Sequence, residues 1–360
     1  MKILYIINGL RFGGMERQLV AMIKAVSNAG HYVYLAVLND RGPMADDLDR
    51  CLSHGIFYLD RRKFSILKTM VNVGRIVKRF DIDIIHVQDS FSAFYAVPVS
   101  KFLGTKTVNG SIRHAGVSKG LSYLFDLSLL RLSDVKIANS QAGLAYYRIR
   151  GQVIYNFIDL KRFDQTHAPL DKIIMNANFT DYKDHLTMLV AGKSLIDEGL
   201  IGEIGFIGDG VHREFYEKLC REMGIFNKVV FHGHSARVEE LLLEYGIGVL
   251  CSTRKYKEGI SNAILEYMGS GLIAIGSDVG AVSEIICDGY NGFLFRAEDP
   301  EMLSEKIRFV LCSLGKMNDI RKNAYNTLRS KFNMETNCAQ LIDLYDNVLS
   351  NIKVGHSTIV

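Results

Sequence analysis

The sequence predicts an α/β protein of two halves, each an open parallel sheet covered by helices. Short β-rich runs alternate with longer helical segments throughout the chain, which is the pattern of βαβ units. Charge divides the chain in the same way. Of 43 Lys+Arg and 39 Asp+Glu, residues 1–165 hold 23 and 13, a net +10, leaving 20 and 26, a net −6. At 360 residues the chain also exceeds what one hydrophobic core usually serves.

The elements follow in order. Residues 3–7 form a first buried strand, then a Gly-rich loop leads into a helix over about residues 16–29. Residues 32–38, 84–87, 106–108 and 135–138 read as the further strands of the first sheet. After Phe163 the pattern restarts, with residues 164–170, containing Pro169, as the linker. Residues 173–176, 203–207, 229–231, 247–250 and 272–275 supply the second sheet. Leu341, Leu344, Tyr345 and Val348 are spaced as one face of a terminal helix over residues 336–349, followed by a frayed tail from Asn351. The expected domains are therefore 1–165, 166–335 and a terminal helix and tail, 336–360. The two halves are expected to face a cleft, with ligands outside the carboxyl ends of the strands.

Composition excludes several classes. Apolar residues make up 48% and charged residues 23%, so the chain is not of the disordered type. The apolar run at residues 3–7 ends at Asn8-Gly9, too early for a secretory signal, and no run of about 18 apolar residues occurs that would span a membrane. The six cysteines are scattered without a C-x-x-C pair, which suits a reduced cytoplasmic protein. The basic first half implies an anion-seeking surface. Its basic residues are dispersed and lack interleaved aromatic platforms, so nucleic acid is set aside. Anionic lipid at the inner membrane face, or a phosphorylated lipid acceptor, is the partner weighed against a merely solvated surface.

The most informative stretch runs from Lys257 to Glu266, after the strand at 247–250. Gly259 lets backbone approach a ligand, and Ser261 and Asn262 can cap the first turn of a helix whose amides then point outward. Such a helix start binds phosphate through its dipole and N–H donors. Glu258 and Glu266 stand eight positions apart, on the order of 10 Å along the helix, too far to share a proton. Separate roles follow.

Further residues place this stretch in a set. They are Gly13-Gly14 with Glu16-Arg17, Asn139-Ser140, Asn156 with Ile158-Asp159, Gly208-Asp209-Gly210, Phe231-His232-Gly233, Gly276-Ser277-Asp278-Val279-Gly280 with Glu284, and residues 288–294. In order, through nearly the whole chain, they resemble family four of the retaining glycosyltransferases. That resemblance implies the GT-B fold: two Rossmann-like domains facing a cleft, with the C-terminal helix packing back on an N-terminal, acceptor-binding domain. It further implies a metal-independent hexosyltransferase using a nucleotide diphosphate sugar, UDP-sugar before GDP-sugar, with a glycan or lipid-linked acceptor and no cofactor. Lys183 and the helix start at Gly259, Ile260 and Ser261 would hold the departing diphosphate. Glu258 would meet the donor-sugar hydroxyls and the charge at the anomeric carbon, and Glu266 the ribose. Gly13 and Gly14 would admit diphosphate or acceptor, while Gly280 and Glu284 would shape the sugar pocket.

Two departures from the family pattern stand out. No arginine precedes Lys183 in residues 176–182, so Asn178 serves as a neutral donor, or Arg254 or Lys257 reaches in. The histidine expected near the donor sugar is His114 before His86. Asp81-Ile-Asp83 matches a metal-binding D-x-D but reads as polarity at a strand entry. His232 and His234 lack ligand partners at metal spacing and read as a loop near the nucleotide base. Gly192-Lys193-Ser194 lacks the first P-loop glycine, and Gly9, Gly13 and Gly14 do not give the dinucleotide fingerprint. The readings kept beside the transferase are a nucleotide-sugar epimerase of the same architecture and a non-catalytic sugar-nucleotide-binding partner.

Overall fold

The computed structural model describes the chain except residues 12, 40, 41, 46, 47, 49, 50, 62–64, 117–119, 166, 167, 236 and 356–360. The linker expected at 164–170 and the expected frayed tail thus lie partly outside the described residues. The chain divides into two units, one of Met1–Arg113, Ser118–Tyr155 and Glu335–Val360, the other of His114–Val117 and Asn156–Met334.

Strands follow the chain as β1 (Lys2–Ile7), β2 (Tyr32–Val37), β3 (Phe57–Tyr58), β4 (Ile84–Val87), β5 (Lys106–Ile112), β6 (His114–Gly116), β7 (Val135–Ala138) and β8 (Gln152–Val153). All but β6 form a seven-stranded sheet in the order β3-β2-β1-β4-β5-β7-β8, and every pairing in it is parallel. The short strands β3 and β8, in the brief apolar runs 56–59 and 153–155, are not among the strands read from the sequence, and they pair at the two edges of the sheet. Helices α1 (Gly14–Asn28), α2 (Ile66–Phe80), α3 (Ser90–Leu103), α4 (Leu121–Leu132) and α5 (Gln141–Tyr147) make the crossovers.

The second unit holds β9 (Lys172–Asn176), β10 (Glu203–Ile207), β11 (Val229–Gly233), β12 (Ile247–Leu250), β13 (Lys257–Glu258), β14 (Ile273–Ser277) and β15 (Phe293–Phe295). Six of these form a parallel sheet in the order β11-β10-β9-β12-β14-β15, and β13 pairs antiparallel with β6. Its helices are α6 (His185–Asp197), α7 (Arg213–Glu222), α8 (Val238–Leu242), α9 (Asn262–Gly269), α10 (Pro300–Cys312) and α11 (Leu314–Lys331). Its core is apolar on both faces of the sheet, with Ile173, Phe206, Val249 and Ile275 wholly buried on one face and Ile174 and Leu250 on the other, as parallel strands covered by helices require.

The last helix, α12 (Met334–Gly355), begins earlier and runs further than the periodicity of its apolar face indicates. It packs on the first unit, as expected. Its Tyr345 hydroxyl is hydrogen-bonded to the Tyr5 hydroxyl of β1 at 2.9 Å and to Nδ1 of His86 on β4. All three side chains are buried, so each polar atom in this network is held in a place where water does not substitute for its partner. His86 is therefore a packing residue of the first sheet. Asp81 ends α2 and Asp83 accepts from the Lys2 amide, the strand-entry role read for this pair.

Burial lowers the pKa of His86 to about 3, and nearby Arg113 adds to the effect. The folded value lies below the unfolded one, so the unfolded chain takes up the proton first on acidification. The stability that depends on neutral His86 is present above about pH 6.5 and declines as pH falls toward 3. His86→Gln is expected to flatten the loss of stability between pH 6 and 4 by about 1.4 kcal/mol per pH unit. Urea titrations of both proteins across that range measure it, and parallel pH profiles would refute it.

Candidate functional site

In an open parallel sheet the crevice forms where successive crossovers leave in opposite directions. In the second unit that point lies between β9 and β12. The chain winds outward from β9 through β10 to β11, then returns to place β12 on the other side of β9. The loops leaving the carboxyl ends of β9 and β12 carry Lys183 and Glu258.

Lys183 is fixed by its surroundings. Phe179 is buried and stacks on His185 at 4.1 Å, the Lys183 amide donates to the Thr180 carbonyl at 3.1 Å, and Asp184 caps α6 through the Thr187 amide. The loop then runs antiparallel to the residues after β12. The Asp184 amide donates to the Cys251 carbonyl, the Thr253 amide donates to the Tyr182 carbonyl, and Lys183 bridges Ser252. Burial pushes His185 down to about 4, partly opposed by the carbonyls of Ala177 and Lys183 beside its ring. It is a neutral packing group.

Glu258 is 8% exposed and closes the arrangement. Its Oε1 accepts from the Lys183 ammonium in an ion pair and from the Ser252 hydroxyl at 2.6 Å. Ser252 is itself held by its amide donating to Ser277 Oγ at 2.9 Å. On the backbone side, the Ala281 amide donates to the Glu258 carbonyl at 2.8 Å, and Gly280 has φ +62°. A Cβ on Gly280 would lie 2.1 Å from that carbonyl oxygen. Only glycine lets this turn approach so closely.

Glu266, also buried, accepts from Asn176 Nδ2 at 2.7 Å at the end of β9. The Asn176 amide donates to Tyr267 Oη, which in turn donates to the Val249 carbonyl. Ser261 stands at the N-cap of α9, yet its side chain makes no capping hydrogen bond, contrary to the capping role expected of it. Asn262 falls inside the first turn, where its Oδ1 accepts from Asn156 Nδ2. The same Asn156 amide donates to the Ile260 carbonyl, so the turn at Gly259 to Asn262 is braced from outside the helix rather than by its own cap.

The remaining residues are placed as follows. Gly208 follows β10 with φ +131°, its amide donating to the Gly233 carbonyl and its α-carbon so close to Ala177 that a Cβ would meet that carbonyl oxygen at 2.5 Å. Asn178 is exposed, and its side chain makes no hydrogen bond among the described residues. His232 is bonded through Nε2 to Tyr245 Oη at 2.8 Å, and Tyr245 donates on to Glu203 at the start of β10. His114 lies opposite Glu258 across the β6–β13 pair, its ring 5.8 Å from Tyr256. Arg254 donates to the Ala297 carbonyl through Nε and Nη2 and pairs with Glu298, while Lys257 is exposed. Gly13 and Gly14 belong to the first unit, at the N-cap and first residue of α1, beside that sheet's own switch between β1 and β4. Glu284 lies in the short turn after Gly280.

Sequence reasoning did not single out Ser252, Asn176 or Tyr267, and it gave Ser277 no role beyond its place in the run 276–280. The signal was present for Ser252, which follows a buried strand at its carboxyl end. Among the described residues, no group of three or more His, Cys, Asp or Glu stands where it could hold a metal ion, and no helix is long and apolar enough to cross a membrane.

Two family models match the chain in succession: Glycosyltransferase Family 4 over residues 12–162 and Glycosyl transferases group 1 over residues 160–327. The chain belongs to this family and is a glycosyltransferase of the GT-B fold. It is 24% identical to N-acetyl-alpha-D-glucosaminyl L-malate synthase of Bacillus anthracis, across 79% of each chain. To UDP-Gal:alpha-D-GlcNAc-diphosphoundecaprenol alpha-1,3-galactosyltransferase of Escherichia coli it is 22% identical, across 88% of this chain and 89% of that one. The structure of Anabaena HepE in complex with UDP-glucose superposes with a TM-score of 0.83 at 18% identity, covering 96% of this chain and 100% of that one.

Two glycines separate space from backbone strain. Gly280→Ala is expected to lower stability by about 2 kcal/mol or more, because the methyl group has no room beside Glu258. Gly289→Ala, at φ +75° with nothing near its Cβ, is expected to cost only about 1 kcal/mol. Chemical denaturation of both variants measures the difference, and equal losses would show that the close approach to Glu258 carries no weight.

Proposed function

We propose that this chain is a retaining glycosyltransferase that moves a hexosyl group from a nucleotide diphosphate sugar, a UDP-sugar before a GDP-sugar, to a lipid-linked or polysaccharide acceptor, without a metal ion. The observation that carries this reading is the Lys183–Glu258–Ser252 cluster at the β9/β12 switch point, next to the start of α9. It supplies a cation, helix amides and a carboxylate at one crevice. Those are the groups needed to hold a leaving diphosphate and to face positive charge at the carbon it leaves.

In this mechanism Lys183 and the amides at Gly259, Ile260 and Ser261 hold the β-phosphate as the C–O bond to the sugar breaks. The diphosphate competes with Glu258 for the lysine, and Glu258 turns to the donor-sugar hydroxyls and the oxocarbenium-like carbon. The acceptor hydroxyl attacks from the face the phosphate leaves, and its proton passes to the departing phosphate oxygen. Configuration is kept. Glu266, presented by Asn176, takes the ribose hydroxyls. Gly208 leaves room for the nucleotide and His232 lies towards its base, with Asn178 as a neutral phosphate donor and His114 beside the sugar. Asn178 rather than Arg254 fills the place of the missing arginine, since Arg254 is committed to Ala297 and Glu298. In the first unit, Gly13 and Gly14 leave room for the acceptor. The names of the relatives, one taking UDP-Gal and a diphosphoundecaprenol acceptor, and the UDP-glucose bound to HepE support this choice of substrates.

The acceptor reading extends to a peripheral place on the cytoplasmic face of a membrane. Residues 1–165 carry a net +10. Helix α4 exposes Leu121, Leu124, Phe125 and Leu132 while burying Leu129 and Leu130. An apolar helix face within a basic half suits the interface of an anionic bilayer.

UDP or GDP at about 100 times its dissociation constant is expected to stabilise the protein by about 2.7 kcal/mol. Lys183→Ala is expected to lower turnover of the nucleotide sugar on the order of 10²- to 10³-fold. Thermal shift and nucleotide release measure these, and failure of both nucleotides to protect the wild type would sink the reading. Vesicles containing phosphatidylglycerol are expected to retain the protein at low salt and release it at high salt, with Leu124→Ser/Phe125→Ser binding less at any salt. Equal sedimentation with neutral and anionic vesicles would remove the membrane from the account.

A further inference from the structure

Two tyrosines frame the Lys183–Glu258 pair, and the mechanism above uses neither. Tyr182 immediately precedes Lys183, and Tyr256 stands two residues before Glu258. Their rings lie 4.6 Å apart between centroids and 32° from parallel, and His114 continues the row at 5.8 Å from Tyr256. Both backbones are fixed. The Tyr182 carbonyl accepts from the Thr253 amide, and Tyr256 leads directly into the β13 pairing with β6. Half of Tyr182 remains exposed. Neither phenol makes a hydrogen bond among the described residues, and burial raises the pKa of half-buried Tyr256 above its ordinary value. A rigid aromatic surface with unengaged hydroxyls, beside a carboxylate and an ammonium, matches a ligand with an apolar face and a polar rim.

We infer that Tyr182, backed by Tyr256, forms a stacking platform for the C–H face of a pyranose ring, with the Tyr256 hydroxyl available to one of its hydroxyls. This rests on the glycosyltransferase reading above and adds to it the surface that orients a sugar at the reacting centre. The stacked faces exclude water on one side of the ring, and the fixed backbone of both tyrosines limits the poses the sugar adopts. The pyranose comes either from the donor or from the acceptor, and the two sources are separable by experiment.

The chain has no tryptophan, so Tyr182→Trp places a single indole in the platform. The probes are UDP, UDP-glucose, UDP-galactose and UDP-N-acetylglucosamine, and the methyl glycosides of the same three sugars in the presence of UDP. At least one pyranose-bearing probe is expected to change the indole emission saturably beyond the effect of UDP alone, and adding Tyr256→Ala is expected to weaken that probe by about three- to tenfold. A response to a nucleotide sugar assigns the donor ring, and one to a methyl glycoside assigns the acceptor ring. In turnover, Tyr182→Ala is expected to raise KM for that sugar by a similar factor, with Tyr182→Phe close to wild type, since stacking survives loss of the hydroxyl. The platform is overturned if no probe moves the emission while UDP still protects the variant from heat, or if the Phe variant is as impaired as the Ala variant. Failure of UDP and GDP to protect the wild type instead overturns the transferase reading, and the platform with it.

Discussion

A carboxylate removed from water must be met by donors, and Glu258 is met from three directions. The Lys183 ammonium and the Ser252 hydroxyl reach its side chain, and the Ala281 amide takes its carbonyl. These groups come from the loops after β9, β12 and β14, so this one residue ties together the carboxyl ends of three adjacent strands of the second sheet. Removing one partner of a buried ion pair leaves the other uncompensated, which is why the surrounding backbone is so closely fitted. The antiparallel contact of residues 182–184 with 251–253 and the approach of Gly280 both serve to hold that fit. The same enclosure is what a phosphate-leaving reaction requires, because a lysine and helix amides act more strongly where water is excluded.

Elsewhere buried polar groups secure the fold rather than the chemistry. Tyr345 of the last helix reaches Tyr5 and His86 at the centre of the first sheet, so a segment remote in sequence completes the core of that unit. Asn156 plays a comparable part in the second unit, bracing Ile260 and Asn262 so that the helix start needs no capping side chain. A first turn braced from outside leaves its own amides for another use. Tyr267 similarly spans Asn176 and Val249 and thereby sets the place where Asn176 presents Glu266.

The departure from the family pattern before Lys183 has a structural counterpart. With no arginine in residues 176–182, the two further cations proposed from sequence stand apart in their commitments. Arg254 is bound to Ala297 and Glu298, and Lys257 lies exposed in β13. Lys183 is accordingly the cation that the fold delivers to Glu258.

Much of this molecule was legible in its residues because local pattern decided it. Uniformly apolar runs such as 173–175 and 247–250 are strands buried on both faces, and their alternation with helices dictates parallel sheets. The motif from Glu258 to Glu266 marked the start of α9 for the same reason, since a glycine and small polar residues before an apolar helix have a local meaning. The strand order and the switch points were not legible, because they depend on which strands pair across long separations. Nor were the partners of the buried polar groups. That Lys183 would reach Glu258, that Asn156 rather than Ser261 would brace α9, that β6 would pair with β13, and that Tyr182 and Tyr256 would come within 4.6 Å are outcomes of packing between segments far apart in the chain. A sequence displays what each residue is able to offer, but only the closed fold decides which offers meet.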